Sequence, residues 1–189
     1  MITSLFRQSR QQRIVAELYG RIVTQSRDPG FYLQGAQQGG VPDTVEGRFE
    51  LIALHGWMVM RRLRDGGAAL ADFNQALFDF LFADMDRNLR ELGVSDMKIG
   101  AKVKDLATHF YGRVAAYEAG VAPSAEPGAL EAALDRNLFG STLPEPQHVA
   151  VMAAYVRSCL AHLQAQPLER LQAGEAFFPA LPAVPVQGV

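Results

Sequence analysis

The chain has 189 residues, 49% hydrophobic, 20% charged and 9% aromatic, and its 18 basic and 20 acidic residues leave a net charge of −2. This suits one globular domain burying roughly 70% of its unfolded surface, and it excludes bulk disorder. A single cysteine, Cys159, excludes an intrachain disulfide, and a pI near 6.1 disfavours a bulk electrostatic grip on nucleic acid.

The longest apolar stretch, Leu51 to Met60, is interrupted by His55 and falls far short of the ~20 residues of a membrane span. Met1 to Phe6 lacks the apolar core of a secretory signal, so a soluble, cytoplasmic protein is expected.

Helical periodicity dominates the chain. Ile14, Val15, Leu18, Tyr19, Ile22 and Val23 recur as pairs every four residues and predict a first helix over about 7–27, broken by Asp28-Pro29-Gly30. A second helix is predicted from Asp43, with Asp43 and Glu46 as a capping box, to about Arg64. Phe49, Ile52, Leu54, Trp57, Met58, Met60 and Leu63 surround nearly its whole barrel, so it is expected to be buried centrally. Leu70, Phe73, Leu77, Leu81, Met85, Leu89 and Leu92 mark the inner face of a third helix over about 69–92, with Gly93 at the left-handed cap position. Ile99, Val103, Leu106, Phe110, Val114 and Tyr117 mark a fourth over about 97–119. Two more are expected over about 128–138 and 146–165, and strand signals are nearly absent. The fold class is all-α: a compact bundle of about six helices in a single domain over 1–173, followed by a Pro-rich extended tail over 174–189.

Residues with catalytic or ligating chemistry are scattered. His55, His109, His148 and His162 form no H-x-x-x-H or H-E-x-x-H pair. Asp84-Met-Asp86-Arg-Asn88 imitates a calcium loop, but Leu89 and Ser95 stand where Gly and Glu are needed. Cys159 lies in an apolar helical run, and neither a nucleophile elbow nor a phosphate-binding glycine loop is present. No enzyme, metal or cofactor is expected.

The charges are patterned. Arg48, His55 and Arg62 stand at heptad spacing on the second helix, as do Asp72, Asp79 and Asp86 on the third. An antiparallel hairpin turning at residue 67 would set Arg48 opposite Asp86, His55 opposite Asp79 and Arg62 opposite Asp72. Residues 1–27 hold five Arg against one Glu, and residues 98–113 hold Lys98, Lys102, Lys104 and Arg113 against Asp105. Such patches suit anionic lipid headgroups or ribosomal RNA, although a merely solvated helix face reads the same way. Gly47, Gly56 and Gly112, each inside a predicted helix, point to close packing.

Four segments resemble one family, in order and near its spacing over about residues 12–120. They are Arg27-Asp-Pro-Gly-Phe-Tyr32, Gly40 to His55 with Arg61-Arg62-Leu63, Phe82 to Asp96, and Phe110-Tyr-Gly-Arg113 with Ala-Ala-Tyr117. Together they resemble the ubiquinol–cytochrome c chaperone family, with Ser95 and Ala101 departing from its pattern. The resemblance implies a non-catalytic assembly factor that holds newly made cytochrome b during biogenesis of ubiquinol–cytochrome c reductase; with barely six residues ahead of the first predicted helix and no Arg-rich, acid-poor extension there, a bacterial member is expected. The implied partners are cytochrome b, a small partner protein or the ribosome, and an anionic surface at the inner face of the cytoplasmic membrane, with no DNA. The candidate client-binding or supporting residues are Arg48, His55, Arg62, Lys102, Phe110, Tyr111 and Arg113, with Arg48 and His55 favoured as structural. The alternative is a haem or small hydrophobic ligand held among Trp57, Phe78, Phe82 and His55. An enzyme is the third reading, and a deep pocket with convergent polar groups would revive it.

Overall fold

A computed structural model describes residues 2–32, 40–140 and 142–182, with side chains from residue 10 onward. Among these residues there are seven α-helices and no strand, as the all-α reading requires. Helix α1 spans Ile2–Ser26, starting ahead of the apolar periodicity because no Pro or Gly interrupts residues 2–19. Its Val15, Leu18, Tyr19 and Ile22 are buried, and Asp28 ends the segment by accepting from the Gly30 amide at the head of a short 3-10 turn. Phe31 of that turn enters the core.

Helix α2 spans Val45–Arg64. Its cap is Thr44, whose hydroxyl accepts from the Gly47 amide at 3.1 Å, so the expected Asp43–Glu46 box is not formed. Asp43 is instead held outside the helix by Arg48, 2.7 Å away. Residues 50 to 59 are continuously buried, which makes α2 the central helix, packed against α1, α3 and α6. Helix α3, Ala71–Glu91, returns antiparallel to it. Asn74 donates to the Met60 carbonyl at 3.2 Å, which sets the hairpin centre at residue 67, as predicted. At the other end, Gly93 with φ 83° closes α3 in a Schellman motif, the Val94 amide reaching Leu89 O and the Gly93 amide Arg90 O.

Helix α4, Asp96–Val121, buries Ile99, Phe110 and Tyr117 and leaves its opposite face to solvent. Helix α5, Ala129–Leu134, runs into a wide π turn over Asp135–Phe139, and Gly120 of α4 packs tightly on Leu130. Helix α6, Pro146–Ala165, begins on a proline, which needs no amide donor in a helix's first turn, and buries Tyr155 and Cys159. The Cys159 thiol is pushed up to about 12 by burial beside Tyr155. A single-turn helix α7, Leu168–Leu171, follows Pro167 and was not predicted, being too short to show a period. Beyond it the chain is non-helical through residue 182. This segment packs on the body: Ala176 is buried, and the Phe178 ring meets His55 edge-on at 5.3 Å. Gln166 fastens it, donating to Phe177 O at 2.7 Å and accepting from Phe177 N at 3.1 Å.

Candidate functional site

The predicted charge seam between α2 and α3 does not form, although the hairpin register does. Five of the seam's six side chains are engaged elsewhere. Arg48 pairs with Asp43, Asp86 with Arg90 one turn on, and Asp79 takes the Gln75 amide. Asp72 and Asp79 face solvent, away from α2.

His55 is fully buried. Its Nδ1 lies 2.7 Å from Leu51 O and its Nε2 lies 2.8 Å from the Tyr155 hydroxyl. One consistent chain satisfies every group: Gln25 donates to Tyr155, Tyr155 to His55 Nε2, and His55 Nδ1–H to Leu51 O. Desolvation pushes the imidazole down to about 4, so the ring is neutral at physiological pH. With both nitrogens engaged and Phe31, Tyr155 and Phe178 around it, His55 is a core histidine. Trp57, two residues on, faces the other side of α2. The imagined ligand pocket of Trp57, Phe78, Phe82 and His55 is therefore divided: Trp57 and Phe78 share a groove that His55 does not reach.

Arg62 also has a structural post. Its Nε donates to Leu163 O at 3.0 Å, its Nη2 to Gln166 O at 2.9 Å and its Nη1 to Asp65 at 2.9 Å. It thus satisfies carbonyls left open where α6 ends. Arg113 holds α4 to α2 through a bidentate contact with Glu50, and its guanidinium lies 5.9 Å from the Phe49 ring. Burial pushes the Glu50 carboxyl up, while Arg113 pulls it back. Tyr117, pushed above the usual phenol range by burial, packs 5.2 Å from Trp57.

A groove of about 440 Å³ lies between the end of α2, the start of α3 and the second half of α4, and a second of like volume lies beyond Arg61 and Arg64, beside Asp65 and Leu163. Trp57, Met60, Leu63, Leu70, Phe78, Phe110, Tyr111 and Val114 supply the apolar lining of the first. An aromatic cluster forms one wall: Phe78 stacks on Tyr111 at 5.5 Å and meets Phe82 at 4.6 Å and Phe110 at 5.8 Å. Phe110 is buried, whereas Tyr111 remains 59% exposed, an uncommon position for a large ring already stacked. At the rim, Glu118 of α4 receives Arg61, Arg64 and, at 2.9 Å, the indole N–H of Trp57.

Of the seven predicted residues, the structure brings Phe110 and Tyr111 together at this groove. Lys102, nine residues before Tyr111 at 100° each, points to the opposite flank of α4 and is exposed. Lys98, Lys102 and Lys104 have no acidic partner within 4.0 Å among the described residues. Sequence reasoning missed Glu118, Arg61 and Arg64 as a unit. The spacing of Arg61 and Arg64 on one helix face was a signal, but their common partner lies over 50 residues away. Among the described residues no cluster of three His, Cys, Asp or Glu could hold a metal ion, and no helix is long and apolar enough to cross a membrane.

A family model described as ubiquinol-cytochrome C chaperone matches residues 37–178. The human ubiquinol-cytochrome c reductase complex assembly factor 1 is 26% identical over 131 residues, which are 69% of this chain and 43% of the human one. Its Xenopus laevis counterpart is 24% identical over 117 residues, 62% of this chain and 58% of the frog protein. The chain therefore spans about half the length of these relatives. The crystal structure of the Cbp3 homolog from Brucella abortus superposes with a TM-score of 0.80 at 36% identity, covering 96% of this chain and 98% of that one. That structure extends the likeness well beyond residues 12–120, the stretch that carries the family-like segments. By motif, by family model and by fold, the chain belongs to the ubiquinol-cytochrome C chaperone family.

Proposed function

We propose that this protein is a non-catalytic assembly chaperone for ubiquinol–cytochrome c reductase, holding an apolar segment of newly made cytochrome b in the α2–α3–α4 groove. The observation that carries this reading is Tyr111, 59% exposed and stacked on Phe78 at the mouth of an apolar groove. Aromatic anchors beside a preformed depression supply contact area at little entropic cost. Family membership and the assembly-factor names of the relatives support the same reading. Exposed Lys98 and Lys102 on the far flank of α4 suit an anionic surface, here the cytoplasmic face of the membrane into which such a client is inserted. The haem reading is the weaker one, because His55, its only proposed axial ligand, has both ring nitrogens committed.

The test is a deletion strain complemented with wild type, Tyr111→Ala or Phe78→Ala. Haem-stained difference spectra of membranes should show cytochrome b restored by wild type and reduced several-fold with either variant. A photoreactive phenylalanine at position 111 should cross-link to radiolabelled, newly made cytochrome b. Normal cytochrome b spectra in the deletion strain would overturn the proposal.

A further inference from the structure

We infer that the groove selects an apolar helical segment bearing a carboxylate, and that Arg61 and Arg64 bind that carboxylate at the rim. The inference rests on the reading of the groove as the client site and adds the chemistry of what enters it. The groove lining includes two cations, Arg61 and Arg64, and no acidic side chain. Glu118, just behind the rim, takes a contact from each arginine, but one carboxylate against two guanidiniums leaves a surplus positive charge. Each guanidinium has five N–H donors in a fixed fork, and among the described residues each has one acceptor. Both side chains are reachable, 39% exposed for Arg61 and 51% for Arg64.

The negative end of α2 stabilises cations there, which accounts for basic residues in its last turn. It does not account for two of them converging on α4 beside an apolar lining. An incoming carboxylate could bridge the two forks without displacing Glu118, and the apolar surroundings would strengthen that attraction relative to water. A purely apolar segment would leave the surplus charge covered and uncompensated, so the rim discriminates by penalty as well as by attraction.

The probes are three amphipathic helical peptides of about 18 residues, five turns, with a Leu/Ala/Phe face. They differ at one position in the last turn: Glu, Gln or Lys. Binding is read from the fluorescence anisotropy of a dye on the first residue of each peptide, and Tyr111→Ala, which removes the exposed ring at the groove mouth, should weaken it. Titrated into the full chain, the Glu peptide should bind about 10-fold more tightly than the Gln peptide, and the Lys peptide more weakly than either. In Arg61→Gln/Arg64→Gln the Glu preference should shrink to within about twofold while Gln-peptide affinity holds. Arg64→Gln alone, changing a half-exposed side chain, should give an intermediate preference in a chain of unchanged melting temperature. Equal binding of Glu and Gln peptides to wild type overturns the carboxylate inference and leaves the groove reading standing. Failure of all three to bind overturns the groove reading and the inference with it. Concentration-dependent self-association that blocks peptide binding assigns the groove to a second copy of this chain, and likewise overturns it.

Discussion

Arg113 grips Glu50 with Nε on one carboxylate oxygen and Nη2 on the other, and only 8% of the Glu50 side chain and 19% of the Arg113 side chain are exposed. This pair ties the groove-forming half of α4 to the central helix. Such a pair contributes little net stability, because dehydration offsets most of its attraction, but breaking one side is costly. Arg113→Met should destabilise by roughly 3–5 kcal/mol in urea unfolding at pH 7. Glu50→Leu combined with Arg113→Met should recover most of that loss. In the single variant the loss should shrink on acidification, as Glu50 takes up a proton in place of its partner.

His55 makes stability depend on pH. Unfolded, the ring titrates near 6.5, and folded, near about 4. Between those values the unfolded chain binds more protons, so stability rises with pH and is lost as pH falls through the window. The full contribution is roughly 3 kcal/mol, present above pH 6.5 and gone by about pH 4. Tyr155 and Cys159, its neighbours, are both raised far above this range and stay protonated throughout. Glu50, raised from its ordinary value, acts in the opposite sense and partly masks the effect. The difference between wild type and His55→Leu, measured by urea unfolding from pH 7 to pH 4, isolates the imidazole. A flat difference would refute the assignment.

Arg62→Ala leaves the Leu163 and Gln166 carbonyls without their charged donor. The expected cost is roughly 1.5–3 kcal/mol, with amide exchange accelerated over residues 163–178 more than elsewhere. Uniform acceleration would mean that Arg62 does not specifically hold the end of α6.

The three helical glycines separate cleanly. A methyl at Gly47 would fall on the Pro42 carbonyl oxygen, and one at Gly56 would stand 3.1 Å from Leu81. Nothing lies within 4 Å at Gly112. Gly112→Ala should therefore stabilise by about 0.5–1 kcal/mol, while Gly47→Ala should destabilise strongly and lower the melting temperature. Gly56→Ala falls between them. Thermal melts of the three variants check the order.

Helix α3 with its Gly93 cap and the buried stripe of α4 were readable because both depend on local spacing. The hairpin register was readable for the same reason. The charge seam misled because heptad spacing says nothing about nearer competitors: Asp43 lies five residues from Arg48, and Arg90 one turn from Asp86. Arg62 shows a different failure. Its acceptors are main-chain oxygens about 100 residues downstream, which no side-chain pattern encodes. Gly112 was misread since a helical glycine signals contact only when a neighbour approaches, and α4 is half uncovered there. Phe110 and Tyr111 were found through the family-like segment containing them, whereas Phe78, a helix away, needed the fold to join them.

Cys159, sealed inside α6 with its thiol protonated, leaves the described surface without reactive sulfur. A cysteine substituted for Gln75 or Tyr111 would be the one sulfhydryl open to modification in an otherwise native chain. A dye or bifunctional reagent attached there would report from the groove mouth alone, with no prior removal of a native thiol.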